Sequence, residues 1–298
     1  MSENLFFLNP GATIGIFAPS SPSPLEEIEQ EIQRVEEMGF VVKKPLALPK
    51  PQGYLAGSDD ERRTSLHSLM ADPEVSALMA VRGGYGALRL LKALRPLWHY
   101  YPPKPIIGFS DVTVLHMARL AATGIGGWHA PMLCNMSSPG HRKRLKEALL
   151  GDLKPWKLKK DSHLTPGRAR GRLIGGNLTL LVSLLSTPYW PNSKGAILFL
   201  EDHGEDLYRL DRLLTTLRIS GRLESLAGLV FGDFGQTKAA QKKIQALLIE
   251  TAKACPGPAA MVGYFGHGQE NRPWPVGGIG ELVVGEAKSS LTFVSPKI

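Results

Sequence analysis

The stretch Ile106-Ile107-Gly108-Phe109-Ser110-Asp111-Val112 begins as an apolar strand and ends as the opening of a helix. Pro102-Pro103-Lys104-Pro105 breaks the chain just before it, and apolar residues at helical spacing continue to Ala122. A strand that passes directly into a helix is the unit from which helix-covered parallel sheets are built, because neighbouring parallel strands need a crossover. Moving outward, the same unit recurs. Ala12 to Ala18 is a buried strand stopped by Pro19-Ser20-Ser21-Pro22, and Leu25, Ile28, Ile32, Val35 and Met38 then follow at helical spacing, with Gly39 placed as a C-terminal cap. Phe40-Val41-Val42 is the next strand. Ser58 and Glu61 form a capping box for a helix reaching about Ala71, which Asp72-Pro73 ends. Ser76 to Val81 reads as a strand, and the loop Arg82-Gly83-Gly84-Tyr85-Gly86 leads into a helix around Leu88, Leu91 and Leu94.

The second half keeps the α/β alternation, with strands near Arg170–Ile174, Gly195–Leu200, Ala227–Phe231 and Ala259–Gly263. Helices are expected near Leu178–Leu185, Leu207–Leu217 and Lys238–Ala254, and the tail reads as strands. Between the halves the pattern loosens into Ser, Pro, Gly, Lys and Asp around a single basic helix. The expected organisation is therefore an N-terminal domain over residues 1–134, a linker over 135–166 and a C-terminal domain over 167–298.

A chain of 298 residues with 43% hydrophobic and 21% charged residues is that of a core-bearing globular protein. Its apolar runs are strand-sized, so no membrane span is expected, and the N-terminus lacks the pattern of a secretory signal, which points to the cytoplasm. Cys134 and Cys255 are far apart and are expected to be free, buried thiols. The net charge of +8 is dispersed and no recognition motif accompanies it, so nucleic acid is not an expected partner. The eight histidines form no metal-binding pair, and neither a metal nor an organic cofactor is expected.

Four segments carry candidate chemistry. Ser110 stands at the strand-to-helix junction, where a side chain projects from the sheet edge beside unpaired helix N–H groups. The same position suits a helix N-cap, and Val112 occupies the place of the second glycine in G-x-S-x-G, so both readings stand on this segment alone. The glycines of Arg82-Gly83-Gly84-Tyr85-Gly86 let backbone approach a ligand, and the N–H groups of Gly84 and Asp111 are candidate oxyanion donors. Glu201, in Leu200-Glu201-Asp202, ends a very apolar strand at the edge where α/β sheets place ligands. His267, between Gly266 and Gly268, has a setting that packing does not explain.

Taken together, these segments and Gly171-Arg172-Leu173-Ile174-Gly175-Gly176-Asn177-Leu178, Asp211-Arg212, Asn271 and Pro275 resemble the LD-carboxypeptidase family of serine peptidases, which includes microcin C immunity peptidases. The resemblance spans nearly the whole chain. It implies an N-terminal parallel-sheet domain with a nucleophile elbow, a C-terminal α/β domain with additional β strands, and an active site in the cleft between them. It also implies Ser110 as nucleophile, His267 as general base and Glu201 as its orienting acid; Arg82, Gly83, Gly84, Tyr85 and Asp111 are the candidates around the oxyanion and substrate. The implied substrate is a murein tetrapeptide that loses its terminal D-alanine, and the implied assembly is a homodimer. A microcin-type immunity peptidase, an α/β-hydrolase esterase and a non-catalytic binding protein are the competing expectations. Only the last would dispense with the three residues.

Overall fold

The computed structural model describes residues 7–45, 50–235, 238–286 and 289–294. The chain divides into two compact units: one runs to Leu153 and takes in Arg272–Pro275, and the other comprises Lys154–Asn271 and, among the described residues, Val276 to Val294. The fold is α/β in both.

The first unit contains β1 (Thr13–Phe17), α1 (Leu25–Glu37), β2 (Val41–Lys43), α2 (Asp59–Ala71), β3 (Val75–Ala80), α3 (Ala87–Leu94), β4 (Ile106–Gly108), α4 (Thr113–Thr123), β5 (Gly127–His129) and α5 (Pro139–Leu149). Strands β2, β1, β3, β4 and β5 lie side by side in that order, and every neighbouring pair is parallel. The alternation in β1 and β3 explains the layering. Ile14, Ile16, Ala77, Met79 and Val81 join Ile28, Ile32 and Val35 of α1 in one buried cluster. Gly15 faces the other way, where an added Cβ would stand 3.0 Å from Leu69 of α2, so its bare backbone admits that helix. The capping box of Ser58 and Glu61 is present at the start of α2.

The rest of the chain supplies β6 (Trp156–Lys157), β7 (His163–Thr165), β8 (Gly167–Asn177), α6 (Leu178–Leu184), β9 (Ile197–Glu201), α7 (Leu207–Ile219), β10 (Gly228–Phe231), α8 (Lys238–Ala252), β11 (Ala259–Met261), β12 (Trp274–Val276, whose Trp274 and Pro275 belong to the first unit), β13 (Ile279–Val284) and β14 (Ser290–Val294). All but β12 form an eight-stranded sheet in the order β6-β14-β13-β8-β9-β10-β11-β7. Its centre, β8 to β11, is parallel, and antiparallel strands extend it on both sides. These are the additional strands of the C-terminal half.

Residues 135–166 do not behave as the expected linker. Helix α5 begins at Pro139 behind a Ser138 cap, and buries Leu145, Ala148 and Leu149 in the cluster that holds β1 and β3. Each fully buried leucine there contributes about 2 kcal/mol, so polar composition concealed a core helix. Beyond Leu153, β6 and β7 are edge strands of the eight-stranded sheet. Strand β12 lies at the β5 edge of the six-stranded sheet, where Trp274 stacks on His129 at 5.1 Å. Both cysteines are free, but only Cys255 is buried; Cys134 is exposed.

Candidate active site

Ser110 has φ 58°, the left-handed region, and no other described non-glycine residue has a positive φ. That conformation costs an ordinary residue about 1–3 kcal/mol and persists only where its surroundings enforce it. Phe109 enters from β4 with extended backbone, Ser110 turns, and a short 3-10 helix over Ser110–Val112 leads into α4. The cap reading of Ser110 fails here, because an N-cap residue has extended backbone and Phe109 fills that place. The missing second glycine is also explained. Close approach occurs on the other side of the serine, where an added Cβ on Gly108 would lie 2.9 Å from Val112.

The glycine loop after β3 packs against this turn. A Cβ on Gly83 would stand 2.9 Å from Ser110 Oγ and 3.5 Å from the Asp111 nitrogen, so the absent side chain keeps open the space beside both groups. Gly84, at φ 107°, backs instead onto Ser21. The Gly83 carbonyl accepts from Ser21 N at 3.2 Å, and across a trans peptide this turns the Gly84 N–H away from Ser21. Tyr85 is exposed, with its ring 5.8 Å from Tyr54, and Arg82 donates to the Pro22 carbonyl at 3.2 Å, holding the loop after β1.

Asp111 is fully buried and serves as a tether. One carboxylate oxygen accepts from Ser20 Oγ at 2.6 Å and from the Ala87 N–H at 2.8 Å, joining the serine turn to the loop after β1 and to the first residue of α3. Burial pushes its carboxyl up, and the bonds from Ser20 and Ala87 and the charge of Arg62 offset part of that rise. Arg62, also fully buried, donates to the carbonyls of Gly57, Pro19 and Gly86, tying α2 to the two loops. Sequence reasoning missed Ser20 and Arg62. Their partners are loop atoms far along the chain, which no local spacing marks.

In the second unit Glu201 is the last residue of β9 and is completely buried, while the His267 side chain is 22% exposed. His267 Nδ1 lies 2.8 Å from Glu201 Oε2. An ionised carboxylate only accepts, so Nδ1 carries the proton and Nε2 is the nitrogen without one. Burial lowers the His267 pKa, but the hydrogen bond and charge of Glu201, with the charges of Asp202 and Asp233, outweigh it and hold His267 above its ordinary 6.5. Burial pushes Glu201 up in turn, partly countered by His267. The flanking glycines have a concrete reason. A Cβ on Gly266, at φ 107°, would stand 2.8 Å from Glu201 Oε2, and one on Gly268 would stand 2.7 Å from Asp233 Oδ2.

Asp202 braces this loop from beneath. It accepts from Asn177 Nδ2, from the N–H and hydroxyl of Thr179 and from the His203 N–H, all between 2.8 and 3.1 Å. Its own N–H donates to the Asp233 carbonyl. These partners end β8, start α6 and follow β10, so one buried aspartate, through its carboxylate and its own N–H, registers three elements at the sheet edge. By contrast, Asp211, one of the residues that carry the resemblance, accepts from Thr215 of its own helix.

Each unit thus holds one part of the predicted chemistry: Ser110 with Gly83 and Asp111 in the first, Glu201 with His267 in the second. The chain belongs to the LD-carboxypeptidase family, whose N-terminal domain matches residues 14–130 and whose C-terminal domain matches residues 170–282. Among its relatives, a probable murein peptide carboxypeptidase of Bacillus subtilis is 36% identical over 239 residues, 76% of this chain and 73% of that one. The murein tetrapeptide carboxypeptidase of Pseudomonas aeruginosa is 31% identical over 281 residues, 89% of this chain and 91% of that one. Among solved structures, an MccF-like protein from Bacillus anthracis superposes with a TM-score of 0.87 at 26% identity, covering 97% of this chain and 98% of that one. The general activity supported by these relatives is that of a carboxypeptidase.

Proposed function

We propose that this protein is a serine carboxypeptidase that cleaves the L,D-amide bond of murein tetrapeptides and releases terminal D-alanine. The observation that carries the reading is the left-handed backbone at Ser110, a strained conformation at a strand-helix turn with open space beside its hydroxyl. The Glu201–His267 hydrogen bond is the matching base. In the proposed reaction His267 Nε2 takes the Ser110 proton as Oγ attacks the carbonyl carbon, and Glu201 stabilises the resulting imidazolium. The Asp111 and Gly84 N–H groups hold the developing oxyanion, each worth about 3 kcal/mol. As the C–N bond breaks, His267 returns the proton to the departing D-alanine amine. Water, activated by the same imidazole, then releases the peptide from Ser110. Peptides of this kind carry several carboxylates, which the chain's net charge of +8 suits. The reading extends to a homodimer at work in the cytoplasm on muropeptides being recycled, and sedimentation analysis tests the dimer.

The test is direct. Purified protein should release D-alanine from a tetrapeptide ending in meso-diaminopimelyl-D-alanine, and Ser110→Ala should abolish release while leaving the circular dichroism spectrum unchanged. Undiminished turnover by Ser110→Ala overturns the serine mechanism. An aminoacyl-sulfamoyl adenylate run in parallel tests the microcin-type substrate class that the likeness to the MccF-like protein brings forward.

A further inference from the structure

A hydrogen bond at one ring nitrogen does not fix the plane of an imidazole. The terminal torsion of histidine is broad, and the ring can swing about the axis through Nδ1 and its acceptor. Gly266 and Gly268 give His267 no lateral support from its own loop. His203 supports it from the face, its ring stacked on His267 with centroids 5.0 Å apart and planes 17° from parallel.

His203 is itself held from two sides. Its N–H donates to the buried Asp202 carboxylate at 2.8 Å, and the backbone at Gly235 closes on its other edge, where an added Cβ would stand 2.3 Å from Nδ1. Glu201 ends β9, and His203 lies two residues on, in the loop that follows. One strand end therefore supplies both the partner in the plane of the base and the partner on its face.

We propose that His203 is a positioning residue for His267: its ring fixes the plane of the base, and its π face favours the imidazolium that forms when His267 takes a proton. This rests on the assignment of His267 as general base. A neutral aromatic face attracts a cation, so the contact is stronger after proton transfer than before, which places its benefit in kcat and not in KM. The groups facing His267 are Glu201 from β9, Asp202 and His203 from the loop after β9, and Asp233 from the loop after β10. The three carboxylates remain when His203 is replaced.

The experiment compares His203→Ala with His203→Phe in the full chain, reading both kinetics on the murein tetrapeptide and the His267 titration by imidazole NMR. The expected result for His203→Ala is a kcat about five-fold lower with KM unchanged, and a lower His267 pKa that Glu201 still keeps above 6.5. His203→Phe, which retains a face and cannot titrate, should restore both. A His267 pKa and kcat unaltered in His203→Ala overturn the proposal, as does a His203→Phe no better than His203→Ala. Ser110→Ala is assayed alongside. Full activity in that variant would mean the nucleophile assignment has failed, whereas the NMR comparison still decides the role of His203.

Discussion

Ser110 stands just past the carboxyl end of β4, and His267 in the loop past the carboxyl end of β11, yet the two are positioned by different means. Ser110 is placed by backbone: a left-handed φ, a glycine on the neighbouring loop, and a tether from the next residue, Asp111, to Ser20 and Ala87. His267 is placed by side chains: Glu201 at its edge and His203 on its face, over the polar cluster of Asp202. A nucleophile fixed by backbone tolerates polar changes nearby but not added bulk. A base fixed by side chains has the opposite sensitivity.

The largest effect that sharpens this contrast is expected from Glu201→Gln, which keeps the shape but not the charge that stabilises the imidazolium. It should lower kcat by about 10³- to 10⁴-fold in a tetrapeptide assay, with little change in KM. A loss of less than ten-fold would break the contrast, because the base would then not depend on its side-chain partner.

A smaller loss, about 10²-fold in kcat, is expected from Gly83→Ala, whose methyl would press on Ser110 Oγ and fill the space by the Asp111 N–H. Gly83 does not have a positive φ, so melting should change little. Gly84→Ala, at φ 107° and against Ser21, should instead lower the melting temperature. Equal effects of the two substitutions on both readouts would show that this loop is scaffold only.

The most modest effect is on pH. In the proposed reaction the base must be neutral to work, and His267 is held above its ordinary value of 6.5 in the folded protein. Activity should therefore fall as pH drops through a midpoint above 6.5, sooner than for an unperturbed histidine. Glu201→Gln removes the main influence raising that value, so the midpoint of its residual activity should move to lower pH. A wild-type midpoint below 6.5 would contradict the pairing.

The same contrast explains what could be read from the sequence. The units around β1 to β4 were legible because buried parallel strands are short apolar runs and their helices repeat at 3.6 residues; α2 was even bounded correctly by its capping box and Asp72-Pro73. Ser110, Glu201 and His267 were each visible as a polar residue at a strand end with glycine or an apolar run beside it. Strands β5, β6, β7 and β12 were not, since each is two or three residues long, contains histidine, lysine or proline, and lacks the apolar run that marks the equally short β2, β4 and β11. Helix α5 was legible as a basic helix, but its place in the core was hidden by the lysines and arginines of its other side. The bracing residues Ser20, Arg62, Asn177 and His203 escaped because their work consists of contacts to other elements, up to 91 positions away in the case of Ser20 and Asp111. The left-handed backbone at Ser110 was equally unreadable, because serine gives no sign that its surroundings will enforce it.

Labelling with a fluorophosphonate, followed by intact mass and peptide mapping, tests most directly whether the serine of one unit is activated by the histidine of the other. The account predicts a single adduct on Ser110 in the wild-type protein, formed at least about 10²-fold more slowly in His267→Ala. Labelling of Ser110 at the wild-type rate in His267→Ala, or an adduct elsewhere that survives Ser110→Ala, would contradict it.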